Sequence, residues 1–136
     1  MQEQFMLMAI EKAREGVKEG QEPFGSCVVR DGKVLSLTNN TISQDNDPTA
    51  HAEMNAIRKA CKTIGSSDLT GCEIYATFKP CEMCMEAIKR AGIRTVYYGA
   101  GPGDVEYPSS SIELSVQSGI TLDECLNLVS VKYSPL

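Results

Sequence analysis

The chain has 136 residues, which is enough for one domain with a sizeable hydrophobic core. Hydrophobic residues make up 42% and charged residues 23%, as is ordinary for a soluble globular protein. The formal net charge is −5, and the lysines and arginines are scattered along the sequence. Because nucleic-acid affinity depends largely on neutralising phosphates, this charge pattern disfavours a tRNA or DNA partner and favours a small substrate.

The N-terminus and the cysteines indicate the cellular compartment. The first ten residues, MQEQFMLMAI, lack the basic n-region and the long apolar core of a signal peptide. No run approaches the roughly 20 apolar residues that span a bilayer. Six cysteines without an export signal indicate reduced thiols or metal ligands rather than a disulfide framework. These features predict a cytoplasmic protein.

The first third of the chain predicts a helix followed by a hairpin. Residues 4–19 carry an apolar stripe at helical spacing, formed by Phe5, Met6, Ala9, Ile10, Ala13 and Val17. Gly20 is suited to end this helix. Two short strands, at residues 27–29 and 34–37, are joined by the two-residue turn Asp31-Gly32. The polar residues 38–48 are predicted to form a loop.

The middle of the chain alternates between helices and strands. A helix begins at residue 49 or 50 and ends before Gly65, with a buried stripe of Met54, Ile57, Cys61 and Ile64. After a turn come a strand, a helix and a strand, at residues 72–78, 81–91 and 95–98. This order is typical of an α/β sandwich in which helices cover the faces of a mixed sheet.

The pattern weakens beyond residue 99. Residues 101–103 and 108–111 have loop-like composition, whereas 112–116 and 122–129 are predicted to be helical.

Two short motifs contain the residues best suited to bind a metal ion. The sequence DPTAHAEMNAIRKA, at residues 47–60, supplies His51 and, two residues later, Glu53. The sequence KPCEMC, at residues 79–84, supplies Cys81 and Cys84 directly after a proline. One imidazole and two thiolates are the three protein ligands that a catalytic zinc takes when it keeps its fourth position for water. The motifs therefore predict a Zn²⁺ site.

Both motifs lie at predicted helix starts, so their side chains could converge if the two helices point at one spot. Cys81 and Cys84 are three residues apart and share a helix face. The positive helix ends are expected to lower the thiol pKa values. Glu53 is two residues from His51, but side chains in a first turn can reach past the helix end. Glu53 is thus expected beside the metal as the proton-transferring group rather than as a ligand.

Other interpretations of the motifs remain open at this point. His51 is the only histidine, and a lone histidine is usually structural. A CxxC pair alone also fits a redox dithiol or a closed structural zinc site. In such a closed site Cys61 or Cys72 would be the fourth ligand, although both lie in predicted apolar stripes.

Together with Pro23-Phe24-Gly25, the two motifs resemble the zinc-dependent cytidine deaminase superfamily, on the branch of bacterial-type guanine deaminases, cytosine deaminases and tRNA adenosine deaminases. The resemblance covers residues 4–100. It implies a three-layer α/β/α sandwich with a mixed five-stranded sheet, a single domain over residues 1–136 with a divergent segment from residue 100, and a homodimer. It also implies that Asn39, Phe24 and His51 contact the substrate.

The resemblance further implies hydrolytic deamination, in which water replaces an exocyclic amino group that leaves as ammonia. The expected substrate is a free nucleobase or a related aminated heterocycle, with guanine ahead of cytosine or cytidine. The alternatives are a tRNA adenosine deaminase, which the acidic charge disfavours, and a non-catalytic structural zinc module. In the tail, Asp104 or Glu106 is either a second proton shuttle or a solvated loop carboxylate.

Overall fold

The structure is a computed structural model that describes residues 2–108 and 112–136. The elements, in chain order, are α1 (Gln2–Lys18), β1 (Gly25–Arg30), β2 (Lys33–Asn39), α2 (Ile42–Asp45), α3 (Ala52–Ile64), β3 (Cys72–Phe78), α4 (Glu82–Arg90), β4 (Thr95–Ala100) and α5 (Leu122–Val129). The predicted succession of helix, hairpin, helix, strand, helix and strand is confirmed. One short helix, α2, lies within the predicted loop at residues 38–48.

The sheet has the strand order β2-β1-β3-β4. Strand β1 is antiparallel to both β2 and β3, whereas β3 and β4 are parallel. The prediction of a mixed sheet is therefore confirmed, but the prediction of five strands is wrong, because the described residues form four. The chain leaves β4 through a Gly-Pro-Gly turn at residues 101–103, and residues 112–119 belong to no ladder.

Side chains of the two central strands alternate between two apolar layers, as the pleat of a strand requires. On one face, Cys27, Val29 and Tyr75 form a cluster with Phe5 of α1. On the other face, the cluster contains Val28 and Ile74 of the sheet with Ala56, Ala60 and Ile88 of α3 and α4. One helix thus covers one face and two helices cover the other, which gives the predicted α/β/α layering.

The buried face of α1 matches the predicted stripe at Phe5, Ala9 and Ala13 but not at Val17. Phe5, Ala9, Ala13 and Gly16 are buried, whereas Val17 is 50% exposed. Helix α3 shows the same effect, since Ala52, Ala56 and Ala60 face the sheet and the larger predicted residues flank them half-buried. Both helices lie close to the sheet, and a close approach selects small side chains over large ones.

Gly25, at the start of β1, is where this close approach is tightest. A Cβ atom added to Gly25 would lie 2.1 Å from Ala9 O and 3.0 Å from Ala13 N. Both neighbours are backbone atoms of α1, so the clash could be relieved only by moving the helix. We expect Gly25→Ala to lower the free energy of unfolding by at least about 1–3 kcal/mol, measured as a lower urea midpoint with an unchanged m-value.

The matched control is Gly103→Ala, because an added Cβ at Gly103 would meet nothing within 4 Å. This variant should unfold at the midpoint of the parent protein. Equal midpoints for Gly25→Ala and the parent would show that α1 does not lie against β1 as described.

Two predictions for the C-terminal segment have different outcomes. The helix at residues 122–129 is confirmed as α5, but the helix at 112–116 is wrong. Ile112, Leu114 and Val116 alternate with polar residues at a period of two, which is a strand pattern rather than a helical one. Of the predicted loop at 108–111, residues 109–111 lie outside the described residues. Within residues 2–108 and 112–136, no helix is both long and apolar enough to cross a bilayer.

Candidate active site

The two motifs meet at the N-terminal ends of α3 and α4. His51 is the N-cap residue of α3 and Cys81 is the N-cap residue of α4, each with extended backbone dihedrals. Neither side chain caps its own helix. Instead, Cys81 Sγ lies 3.7 Å and Cys84 Sγ 3.6 Å from His51 Nδ1. The predicted convergence of the two helix starts is therefore present.

The spacing of the three donor atoms fits a zinc ion. All three lie within 4.8 Å of one another. A tetrahedral zinc with a Zn–N bond of ~2.05 Å and Zn–S bonds of ~2.3 Å places N and S about 3.6 Å apart. The two observed N···S distances match this value. Burial lowers the pKa of His51, which favours the neutral imidazole that a metal requires.

The donor set distinguishes a catalytic from a closed structural zinc site. A closed site takes four protein ligands, whereas a catalytic site takes three. Among the described residues, the metal-binding group consists of His51, Cys81 and Cys84 and does not include Cys61 or Cys72. Cys72 instead belongs to the apolar cluster under α3 and α4, with Cys61 packed against it. Three protein donors are thus available to the metal.

Glu53 lies beside these donors, and the residue is only 7% exposed. Burial raises the pKa of Glu53 to about 7, and hydrogen bonds from its own backbone N–H and from Cys84 oppose the shift. A carboxyl group with a pKa near neutrality is suited both to accept and to donate a proton. Glu53 is not one of the metal donors, so it is placed as the sequence predicts.

The expected effect of the helix ends on the thiols is outweighed at Cys84. Burial is the largest influence on the Cys84 pKa and raises it, and the negative charge of Glu53 adds to the effect. Desolvation disfavours the charged thiolate, which accounts for the direction of the shift. A metal cation at the site would supply the compensating positive charge.

Polar contacts hold the segment that leads into His51. Asp47 Oδ1 accepts hydrogen bonds from both the backbone N and the hydroxyl of Thr49. Asn55, one turn into α3, donates through Nδ2 to Asn39 O and to Thr41 Oγ1. These bonds tie the end of β2 to the first turn of α3, so the residues around His51 in the first motif have structural as well as chemical roles.

Three aromatic rings lie together at the site. The rings of Phe24 and Phe78 are 5.5 Å apart, and the ring of Tyr107 is 4.9 Å from that of Phe78. Sequence reasoning identified Phe24 but missed the other two rings. Phe78 could have been found from its position three residues before Cys81. Tyr107 lies in a segment without regular secondary structure and carries no local signal.

Asn39 and Asn40 have different surroundings. The amide of Asn39 lies against Gly16 of α1, where an added Cβ would be 2.6 Å from Nδ2, and Nδ2 donates to Asn40 O. The backbone N of Asn40 donates to Phe24 O, which ties the end of β2 to the residue before β1. Sequence reasoning considered only Asn39, whose contact with a base stays a prediction. In the tail, Asp104 Oδ2 accepts a hydrogen bond from Gly101 N and so closes a local turn.

Fold and site together define an α/β protein with a three-donor zinc centre beside a buried carboxylate. Residues 1–100 match the zinc-binding region of cytidine and deoxycytidylate deaminases. The chain belongs to this family.

The relatives within the family differ in substrate. The chain is 44% identical over 99 residues to the guanine deaminase of Bacillus subtilis (strain 168), a match that covers 72% of this chain and 64% of the relative. It is 38% identical over 98 residues to the tRNA-specific adenosine deaminase of Aquifex aeolicus (strain VF5), covering 72% of this chain and 65% of the relative. The matches thus span slightly less than two thirds of each relative.

Among solved structures, that of guanine deaminase from Bacillus subtilis is similar over most of the chain. The TM-score is 0.83 at 32% sequence identity, and the match covers 97% of this chain and 94% of the other. The cytidine deaminase-like α/β fold predicted from the sequence is thereby confirmed.

Proposed function

We propose that this protein is a zinc-dependent hydrolase that deaminates a free nucleobase or a related aminated heterocycle, with guanine as the first candidate. The observation that carries the proposal is the convergence of His51, Cys81 and Cys84 at zinc-ligand spacing next to Glu53. The identity to a guanine deaminase supports the choice of guanine. Cytosine and cytidine are the next candidates.

The chain's own residues would divide the reaction between them. His51, Cys81 and Cys84 hold the zinc, which when bound acidifies water so that a nucleophile is available at neutral pH. Phe24 and Phe78 flank the planar ring of the substrate. Glu53 transfers two protons in turn, the first from the attacking water to a ring nitrogen and the second from the added hydroxyl group to the departing amine. A C–O bond forms, the C–N bond breaks, and ammonia and a carbonyl are the products.

An ammonia-release screen of the zinc-loaded protein tests this proposal. The substrates are guanine, guanosine, cytosine, cytidine and adenine, and the Glu53→Ala protein is the blank. We expect the fastest release from guanine and none above background from the blank. Equal release by the parent and the blank, or no release from any substrate, would contradict the proposal.

A tRNA adenosine deaminase is the second candidate, and one feature of the tertiary structure favours it. A cavity of about 430 Å³ beside β2 is lined by four cationic side chains from α1 and α3 and by one carboxylate, Asp45; the cations are Lys12, Arg58, Lys59 and Lys62. The sequence showed these cations as scattered, but the two helices bring them to one groove. A positive groove next to the end of β2 is suited to phosphate groups.

Salt-dependent binding of tRNA distinguishes the second candidate. Lys12 and Arg58 already contact Glu15 and Asp47, so the double variant Lys59→Glu, Lys62→Glu is used. If tRNA binds in the groove, its affinity should fall with salt, and the variant should reduce the slope of log K against log salt by about 2. The control, Lys89→Glu on α4, should leave the slope unchanged. An unchanged slope in the double variant would exclude tRNA binding in this groove.

We also propose that the protein forms a homodimer, that residues 1–136 form a single domain, and that the protein is cytoplasmic. Exposed apolar residues in the C-terminal segment support a dimer, because they would be covered by a second copy. They are Ile112, Leu114, Val116, Leu126 and Leu128. Light scattering should give twice the chain mass of 14.8 kDa, and a monomer at all concentrations would contradict this.

A further inference from the structure

We infer that Tyr107 is a substrate-binding residue of the same pocket and that its ring, with those of Phe24 and Phe78, forms the surface on which a planar base stacks. The inference deepens the proposed function and rests on it, because it concerns how that site binds its substrate. Tyr107 comes from the segment after β4, which lies outside the two metal-binding motifs.

The three rings come from distant parts of the chain and contact one another. Tyr107 lies 4.9 Å from Phe78 at an interplanar angle of 38° and 6.4 Å from Phe24 at 79°. Phe24 and Phe78 are 5.5 Å apart at 54°. These separations and angles are those of favourable aromatic pairs. The ring cluster thereby joins three parts of the chain, namely the residue before β1, the end of β3 and the segment after β4.

The rings remain accessible, unlike those of a core cluster. Tyr107 is 48% exposed, and Phe24 and Phe78 are half-buried. By comparison, Phe5 and Tyr75, which pair in the apolar layer under α1, are 6% and 2% exposed. A ring cluster that keeps exposed faces offers those faces to a further planar group.

The position of the rings relative to the metal donors supports a substrate role. Phe78 precedes Cys81 by three residues on the segment that leads from β3 into α4. The ring cluster is thus connected to Cys81 by only the two residues that follow Phe78. Partial burial raises the pKa of Tyr107, and Cys81, Glu22, Glu53 and Cys84 make smaller contributions in the same direction.

A base between these rings and the metal centre would be held by stacking. Truncating a side chain that stacks on one base weakens binding by a factor between about 5 and 140. A leucine at position 107 would lose the ring face on which a base stacks, without changing the zinc ligands.

The test uses the full-length, zinc-loaded Glu53→Gln protein, in which turnover is blocked, and 2-aminopurine as the probe. The emission of this base is quenched when it stacks on another ring, and the chain contains no tryptophan to interfere. We expect Tyr107→Leu to raise Kd at least about fivefold and to reduce the quenching. Tyr107→Phe, which keeps the ring, should change Kd by less than about twofold.

The matched control is Tyr98→Leu, because Tyr98 is also 48% exposed but lies on β4. It should bind the probe as the parent does. The inference is overturned if Tyr107→Leu binds like the parent, if Tyr98→Leu or Tyr107→Phe loses as much affinity, or if the parent does not quench the probe. Ammonia release by the wild-type protein is measured separately, so a failure of the proposed function is distinguishable from a failure of stacking on Tyr107.

Discussion

We expect Glu53→Gln to lower kcat on the best substrate by about 10²- to 10⁴-fold, the usual contribution of a positioned general acid–base group. Glutamine has nearly the same size but neither accepts nor delivers a proton in this pH range. Because Glu53 is not one of the metal donors, the variant should keep one zinc per chain. Steady-state kinetics and metal analysis of the same preparation check both parts of the prediction.

The control for Glu53→Gln is the same chemical change at an exposed site. Glu86 on α4 pairs with Arg90, and its side chain is 56% exposed, so Glu86→Gln should leave kcat unchanged. If Glu53→Gln retained full turnover, the general-base role would be wrong. If it lost zinc, Glu53 would be a ligand instead. The same pair of variants separates an enzyme from a structural zinc module, in which neither change would affect function.

The second large effect is expected for Cys84→Ala. Cys84 is fully buried, and its sulfur lies 3.6 Å from His51 Nδ1. Loss of one of three donors should abolish stoichiometric zinc binding and deaminase activity together. The parent should gain about 3–4 kcal/mol of apparent stability when zinc is present at 100 to 1,000 times its Kd. In Cys84→Ala this zinc-dependent rise in Tm should disappear.

Cys72→Ala is the matched control, because Cys72 is also buried, at 3% exposed, but lies in the apolar cluster under α3 and α4. It should lower Tm through lost packing while keeping both the zinc-dependent rise and the zinc content. A zinc-dependent rise of normal size in Cys84→Ala would contradict the ligand assignment. Chelation of the parent should reproduce the behaviour of the variant.

The metal donors could be predicted because their identities depend on local features. Cys81 and Cys84 are one helical turn apart, and His51 is the only histidine in the chain. Donor chemistry therefore selects this set before any tertiary contact is known. The placement of Glu53 was a harder step, since residues two apart on a helix normally point to different sides. Both residues lie where α3 begins, which brings Glu53 next to Cys84, and the role of Glu53 in proton transfer stays a prediction.

Helix faces were predicted less well. In α1 the predicted stripe correctly included Ala9 and Ala13, which are buried, but also included Val17, which is 50% exposed. In α3 the predicted stripe missed Ala56 and Ala60, which are buried. The distance between a helix and a sheet depends on the side chains of both surfaces. It therefore cannot be predicted from a stripe of large residues on the helix alone.

The amino-acid sequence alone was sufficient to predict the order of helices and strands. It was also sufficient to predict three zinc ligands with a neighbouring carboxylate, because hydrophobic periodicity and donor type are local properties. Tertiary contacts were needed to show that the described sheet ends at β4, that Phe78 and Tyr107 join Phe24, and that scattered cations share one groove. Each of these features brings together residues far apart in the chain, and no local pattern records which distant segments will meet.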